Sequence, residues 1–155
     1  MTTATDQPAI RETLARMDGA WATFLERVHL LPGEQLELRL GEGAWTRKQM
    51  LAHIGAWHEL TAERLARFME SGDIGAPAED EDVLNARTAR ASAGRTAGEV
   101  LFAMEESYRR LRREVGRLSD AQLAAHDDWA AAVIAGNTYG HYADHLDDLR
   151  RGRSA

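Results

Sequence analysis

The chain has 155 residues, 44% of them apolar and 28% charged, which is globular composition with room for one substantial core. It contains no cysteine, so disulfides, thiolate nucleophiles and sulfur metal ligands are excluded, and any metal must be held by imidazole, carboxylate or water. A net charge of -6 works against binding phosphate backbones, no stretch reaches the roughly 18 apolar residues of a transmembrane helix, and the opening M-T-T-A-T-D-Q-P has no apolar signal core. The expectation is one cytoplasmic domain over 1–155, packed at about 8–151, with no nucleic-acid or membrane partner.

In chain order, Asp6 and Pro8 open a first helix, Asp6 as acceptor for orphan amides and Pro8 preset for the first turn. Ile10, Leu14, Met17, Trp21, Phe24 and Val28 follow a four-and-three spacing, so this helix runs from about 8 to 30 and stops before Pro32 and Gly33. His29 at its end reads as a cation on the helix C-terminus. Residues 31 to 45 form a connection, with either a single helical turn over Glu34 to Leu38 or a short strand through Leu36, Leu38 and Leu40 that has no partner. Its glycines, Gly41 to Ala44, suit a lid or an inert turn equally. Thr46 and Gln49 form a capping box for a second helix reaching about Glu70. Met50, His53, Ile54, Trp57, Leu60, Leu65 and Phe68 point inward from it, and His58 lies on a different face.

Gly72 to Ala78 reads as a loop closed by Pro77, and the acidic residues Glu79 to Asp82 suit the start of a short helix over about 82–91. Thr96 and Glu99 repeat the capping box before a heptad stripe of Leu101, Met104, Tyr108, Leu111, Val115 and Leu118. The basic runs Arg109, Arg110, Arg112, Arg113 and Arg150, Arg151, Arg153 lack interleaved aromatics and read as solvated surface. Ser119 and Gln122 cap a short turn, and the last helix spans about Asp127 or Asp128 to Arg151. Four long amphipathic helices without a partnered strand predict an all-α four-helix bundle, with a short extra helix between helices two and three.

The last helix carries the chemistry. Ile134, Asn137, His141, His145 and Asp148 share one stripe, beside an apolar one of Thr138, Tyr142, Leu146 and Leu149. His141 and His145, four residues apart, stack on one face and can grip a single ion; His53, inward-facing on the second helix, is the third candidate ligand. A shared divalent cation would satisfy a polar seam that otherwise costs a few kcal/mol per buried group, whereas lone histidines are more often surface residues or neutral core groups. Asp144 and Asp148, each three residues past a histidine, are candidates to orient an imidazole or move a proton, with an exposed helix acid the plainer reading of Asp144. Trp57, Asn137 and Tyr139 are candidates for the pocket mouth.

The segments A-W-T-R-K-Q-M-L-A-H-I-G-A-W and N-T-Y-G-H-Y-A-D-H-L-D-D-L resemble the DinB-like four-helix bundles, and the match falls on His53, His141 and His145. D-V-L-N-A-R, S-Y-R-R-L and L-S-D-A-Q-L look closer to one branch, the ClbS/DfsB family, which extends the resemblance over residues 10 to 150. The resemblance implies a divalent metal on three histidines. Among DinB-like relatives are metal-dependent transferases using a low-molecular-weight thiol such as mycothiol or bacillithiol and a maleylpyruvate isomerase, while ClbS hydrolyses an electrophilic cyclopropane in a genotoxin. Many have no known activity, and this chain departs from ClbS in carrying the triad.

Three functions are therefore expected in turn: a metal-dependent transferase or hydrolase acting on a small electrophile in detoxification or stress response, a non-catalytic ligand- or metal-binding protein, or an interaction domain, with a homodimer as its assembly. Imidazole ligation suits zinc, nickel, copper or iron, and without cysteine any thiol nucleophile must arrive as a cosubstrate.

Overall fold

The computed structural model describes residues 6–40, 45–75 and 80–151, which form an all-α bundle. In order these are α1 (Pro8–His29), a 3-10 turn (Gly33–Glu37), α2 (Arg47–Ser71), α3 (Glu81–Ala93), α4 (Ala97–Arg117), α5 (Asp120–Asn137) and α6 (Tyr139–Arg151). α2 is the central element, packing along α4 and also touching α3, α5 and the 3-10 turn, while α1 closes the bundle against α6. The short α3 is the extra helix expected between helices two and three. Among the described residues no helix is long and apolar enough to cross a membrane.

The stripes read from the sequence form the core. Ile10, Met17, Trp21, Phe24 and Val28 of α1 are buried against Met50, Ile54, Leu65 and Phe68 of α2 and Met104, Tyr108, Leu111 and Val115 of α4. Burying each such side chain stabilises the fold by about 1.5–3 kcal/mol. The capping boxes at Thr46, Thr96 and Ser119 are formed, each hydroxyl accepting the amide three residues on. Leu36 is buried from the 3-10 turn and Leu38 is exposed, so the helical-turn alternative holds, and the extended pairing here is limited to an isolated bridge between Arg39 and Thr46. The arginines of α4 sit at the surface, Arg109 paired with Glu106, Arg110 with Glu59 and Arg112 with Asp18. The expectations for Gly41 to Ala44, for Pro77 and Glu79 and for the arginine tail fall outside the described residues or side chains.

Three expectations are corrected. Asp6 is not the N-cap of α1: that position is Gln7, whose side chain makes no bond into the helix and instead accepts the Asp120 amide, while the carboxylate of Asp120 at the start of α5 accepts the amides of Ala9 (3.1 Å) and Ile10 (2.9 Å). The orphan donors of α1 are thus satisfied across the bundle. The last helix is not continuous from Asp127 to Arg151. α5 starts at Asp120, passes through a left-handed turn at His126, Asp127 and Asp128 (φ 53°, 54° and 61°), and ends at Asn137. Thr138 (φ -124°, ψ -105°) then separates it from α6, its hydroxyl bonded to the Ile134 carbonyl at 2.6 Å. A Cβ on Gly140 would stand 2.9 Å from the Ala135 carbonyl oxygen, so the joint closes only around glycine.

The third concerns His58, whose different face is another part of the core rather than a periphery. It is fully buried, its Nδ1 2.9 Å from the Ser107 hydroxyl and its Nε2 against the Tyr142 hydroxyl, within a cluster of Trp21, Tyr108 and Tyr142 rings. Burial holds its pKa at about 3. His29, as expected, is an exposed helix-end imidazole, 3.9 Å from Glu105.

Asp120→Ala should destabilise the protein by about 1–2 kcal/mol through loss of the cross-bundle cap. Urea denaturation checks it, and an unchanged midpoint would show that water replaces the carboxylate without loss.

Candidate metal centre

Three elements bring the imidazoles together. The Thr46 capping box sets the start of α2 and puts His53 on its second turn, and the joint at Thr138 and Gly140 sets the rotation of α6, which carries His141 and His145 on one face. The Nε2 atom of His141 lies 2.9 Å from Nε2 of His53 and 3.1 Å from Nε2 of His145. Ligand atoms from all three fall within 4.8 Å of one another. Nitrogens bound at about 2.1 Å to one ion stand about 3.0–3.4 Å apart, and the two spacings from His141 are close to that range.

The outer nitrogens decide the tautomers. Asn85 on α3 presents Oδ1 to both the Trp57 indole N–H (3.0 Å) and Nδ1 of His53 (2.9 Å). Because the indole nitrogen only donates, that atom is an acceptor, His53 carries its proton on Nδ1, and its Nε2 is a bare lone pair. Asp148 does the same for His145, accepting from Nδ1 at 2.9 Å. His53 is further enclosed by Trp45, with ring centroids 5.3 Å apart. Burial, opposed by the Asn85 bond, holds the His53 pKa at about 4, and burial together with the neighbouring imidazoles holds His141 at about 3.

The donor set fits a cation. With His53 and His145 bare at Nε2, a hydrogen on His141 Nε2 is the one proton able to serve both, and it would leave Nδ1 of His141, which is buried and has no hydrogen-bond partner, as an orphaned acceptor. Placing the hydrogen on Nδ1 instead leaves three lone pairs facing one another. A divalent ion removes that repulsion, and three neutral imidazoles are a common ligand set for it.

A polar cavity of about 300 Å³ opens beside His53 and His141, between His53, Trp57 and Glu81 on one side and Asn137, His141 and Asp144 on the other; His145 is not in its lining. A larger, mostly apolar groove of about 420 Å³ between α2, α3 and α4 has no imidazole in its lining. Of the residues singled out in the sequence, His53, His141 and His145 converge, Asp148 holds His145, and Trp57, Asn137 and the exposed Asp144 line the cavity. Tyr139 is corrected: its ring lies under the Arg16 guanidinium of α1, 4.2 Å from the centroid, and it is not among the lining residues. The joint at Thr138 turns it toward α1. Sequence reasoning missed Asn85 and Glu81, both on α3, and Trp45. A polar residue beside Leu84 on the side of α3 that meets α2 was the available signal for Asn85.

An all-helical bundle that brings three histidines from two helices together beside a polar cavity has the form of a metal-site bundle protein. A family model described as the DinB superfamily matches residues 16–148, and the chain belongs to that superfamily. No curated protein and no solved structure matched the chain.

Asn85→Ala should weaken binding of added zinc by about 10–100-fold, because His53 loses the acceptor that fixes its tautomer, while the fold persists. Competition with a chromogenic chelator measures this, and wild-type affinity in the variant would remove Asn85 from the site. The metal-free protein should also lose stability in acid. Below the ordinary value of 6.5 the unfolded chain takes up protons that buried His53, His58 and His141 refuse until pH reaches about 4 or 3. Stability present at neutral pH therefore falls as pH drops through that window, by about 1.4 kcal/mol per pH unit for each such histidine. Urea denaturation of chelator-treated protein across the window would show a flat profile if these imidazoles titrated alike in both states.

Proposed function

We propose that this protein is a divalent-metal-dependent enzyme acting on a small electrophilic molecule, as a thiol-dependent transferase or a hydrolase in detoxification or stress response. The observation that carries the reading is the convergence of three Nε2 atoms, with the partners at Asn85 and Asp148 leaving His53 and His145 bare toward His141. His53, His141 and His145 would hold the ion. When bound, it supplies a Lewis acid able to lower the pKa of a water or thiol toward neutrality.

The chain's own residues do the rest. Asn85 and Asp148 hold two imidazoles in the ligating tautomer, Trp57 walls the cavity, and Asn137 at the end of α5 and Asp144 on α6 stand on its other side as polar contacts for a substrate. With no cysteine in the chain, a thiol nucleophile enters as a low-molecular-weight cosubstrate. Zinc, nickel and iron all suit imidazole donors. The segments D-V-L-N-A-R, S-Y-R-R-L and L-S-D-A-Q-L support placing the chain in the ClbS/DfsB branch, and D-V-L-N-A-R contains Asn85. A homodimer through exposed helix faces is the assembly that goes with this reading.

Elemental mass spectrometry on untagged protein tests the reading. Near-stoichiometric metal in the wild type should be lost in His53→Ala and His145→Ala, and thiol transfer or hydrolysis on electrophilic substrates should disappear with it. Loss of metal without any wild-type turnover would leave a metal-binding protein, and a wild type still metal-free after addition of zinc, nickel and iron would overturn the reading.

A further inference from the structure

Glu81, the first residue of α3, and Asp144 on α6 line the same cavity as His53 and His141, and both are exposed. Asp148, outside the cavity lining, accepts from Nδ1 of His145 at 2.9 Å. Among the described residues no lysine or arginine lines this cavity. The two lining carboxylates, with Asp148 behind His145, put three formal negative charges around the site against the two of a divalent ion. Trp57 has its indole N–H engaged by Asn85 at 3.0 Å, so what it offers the cavity is the ring, a favourable neighbour for a cation.

We infer that the site selects small molecules bearing an ammonium or other positive group and disfavours carboxylates and phosphates, with Glu81 and Asp144 as the specificity-determining residues. This rests on the metal reading and adds to it the charge class of the substrate or thiol cosubstrate. A cationic group entering over the imidazoles meets Glu81 from α3 and Asp144 from α6 on opposite walls, while its thiol or electrophilic end reaches toward the three nitrogens. An anion of the same size meets two like charges on facing walls of one cavity, and the repulsion weakens as salt is added.

The test uses protein loaded with cobalt(II), whose spectrum reports a thiolate entering its coordination shell, after elemental analysis confirms uptake in each variant. Cysteamine, 2-mercaptoethanol and mercaptoacetate are titrated into the wild type and the Glu81→Gln/Asp144→Asn double variant. Because the three thiols differ in acidity, the readout is the change in their relative affinities between the two proteins. The preference for cysteamine over mercaptoacetate should fall about tenfold or more in the variant, with 2-mercaptoethanol changing less than about twofold. An unchanged ratio, or one that rises, overturns the inference while leaving the metal reading intact. A wild type that takes up neither cobalt(II) nor zinc overturns both.

Discussion

Imidazole lone pairs facing one another at about 3 Å repel unless something positive lies between them, and this fold brings Nε2 of both His53 and His145 to that distance from Nε2 of His141. The arrangement is held from outside. Asn85 and Asp148 take up the other ring nitrogens of His53 and His145, Trp45 and Trp57 wall the His53 ring, and the joint at Thr138 sets the rotation of α6. Each restraint comes from a different element, so relaxing any one would let the nitrogens turn apart.

His53 and His58 show how partners decide the chemistry of one residue type on one helix. Five positions apart on α2, both are buried and both have depressed pKa values. His58 meets Ser107 with one nitrogen and Tyr142 with the other, so its hydrogen-bonding capacity is spent and it serves the core. His53 is satisfied at Nδ1 by Asn85, and its Nε2 faces only the other imidazoles. Ligating character follows from which nitrogen is left without a donor, and burial alone does not distinguish the two.

Much of this was legible in the sequence because it obeys short periods. The stripe from Ile10 to Val28, the heptads of α4 and the three capping boxes depend on residues three or four apart, and the same register placed His53, His141 and His145 inward. What escaped depends on residues distant in sequence or on backbone that breaks the period. Asp120 caps a helix more than a hundred residues away, Asn85 reaches His53 from a different helix, and the partners of His58 lie on α4 and α6. The left-handed turn at His126 to Asp128 and the joint at Thr138 interrupt a stretch whose polar and apolar pattern reads as one helix, which is why Tyr139 was expected at the pocket and stands instead under Arg16.

The short α3 gives the site an unusual attachment. Only Leu84, Ala89 and Ser92 are buried along it, and polar bonds fasten it to α2: Lys48 to the Arg95 carbonyl beyond its end (2.8 Å), Gln49 to the Ala89 carbonyl (3.1 Å), and Trp57 and His53 to Asn85. Lifting such a strap exposes little apolar surface, so its opening costs much less than unfolding the bundle. One wall of the candidate pocket is therefore carried on a short helix with few buried residues. Exchange of its amides with solvent, and the escape of an ion held beneath it, would share one local gate while the four long helices stay folded.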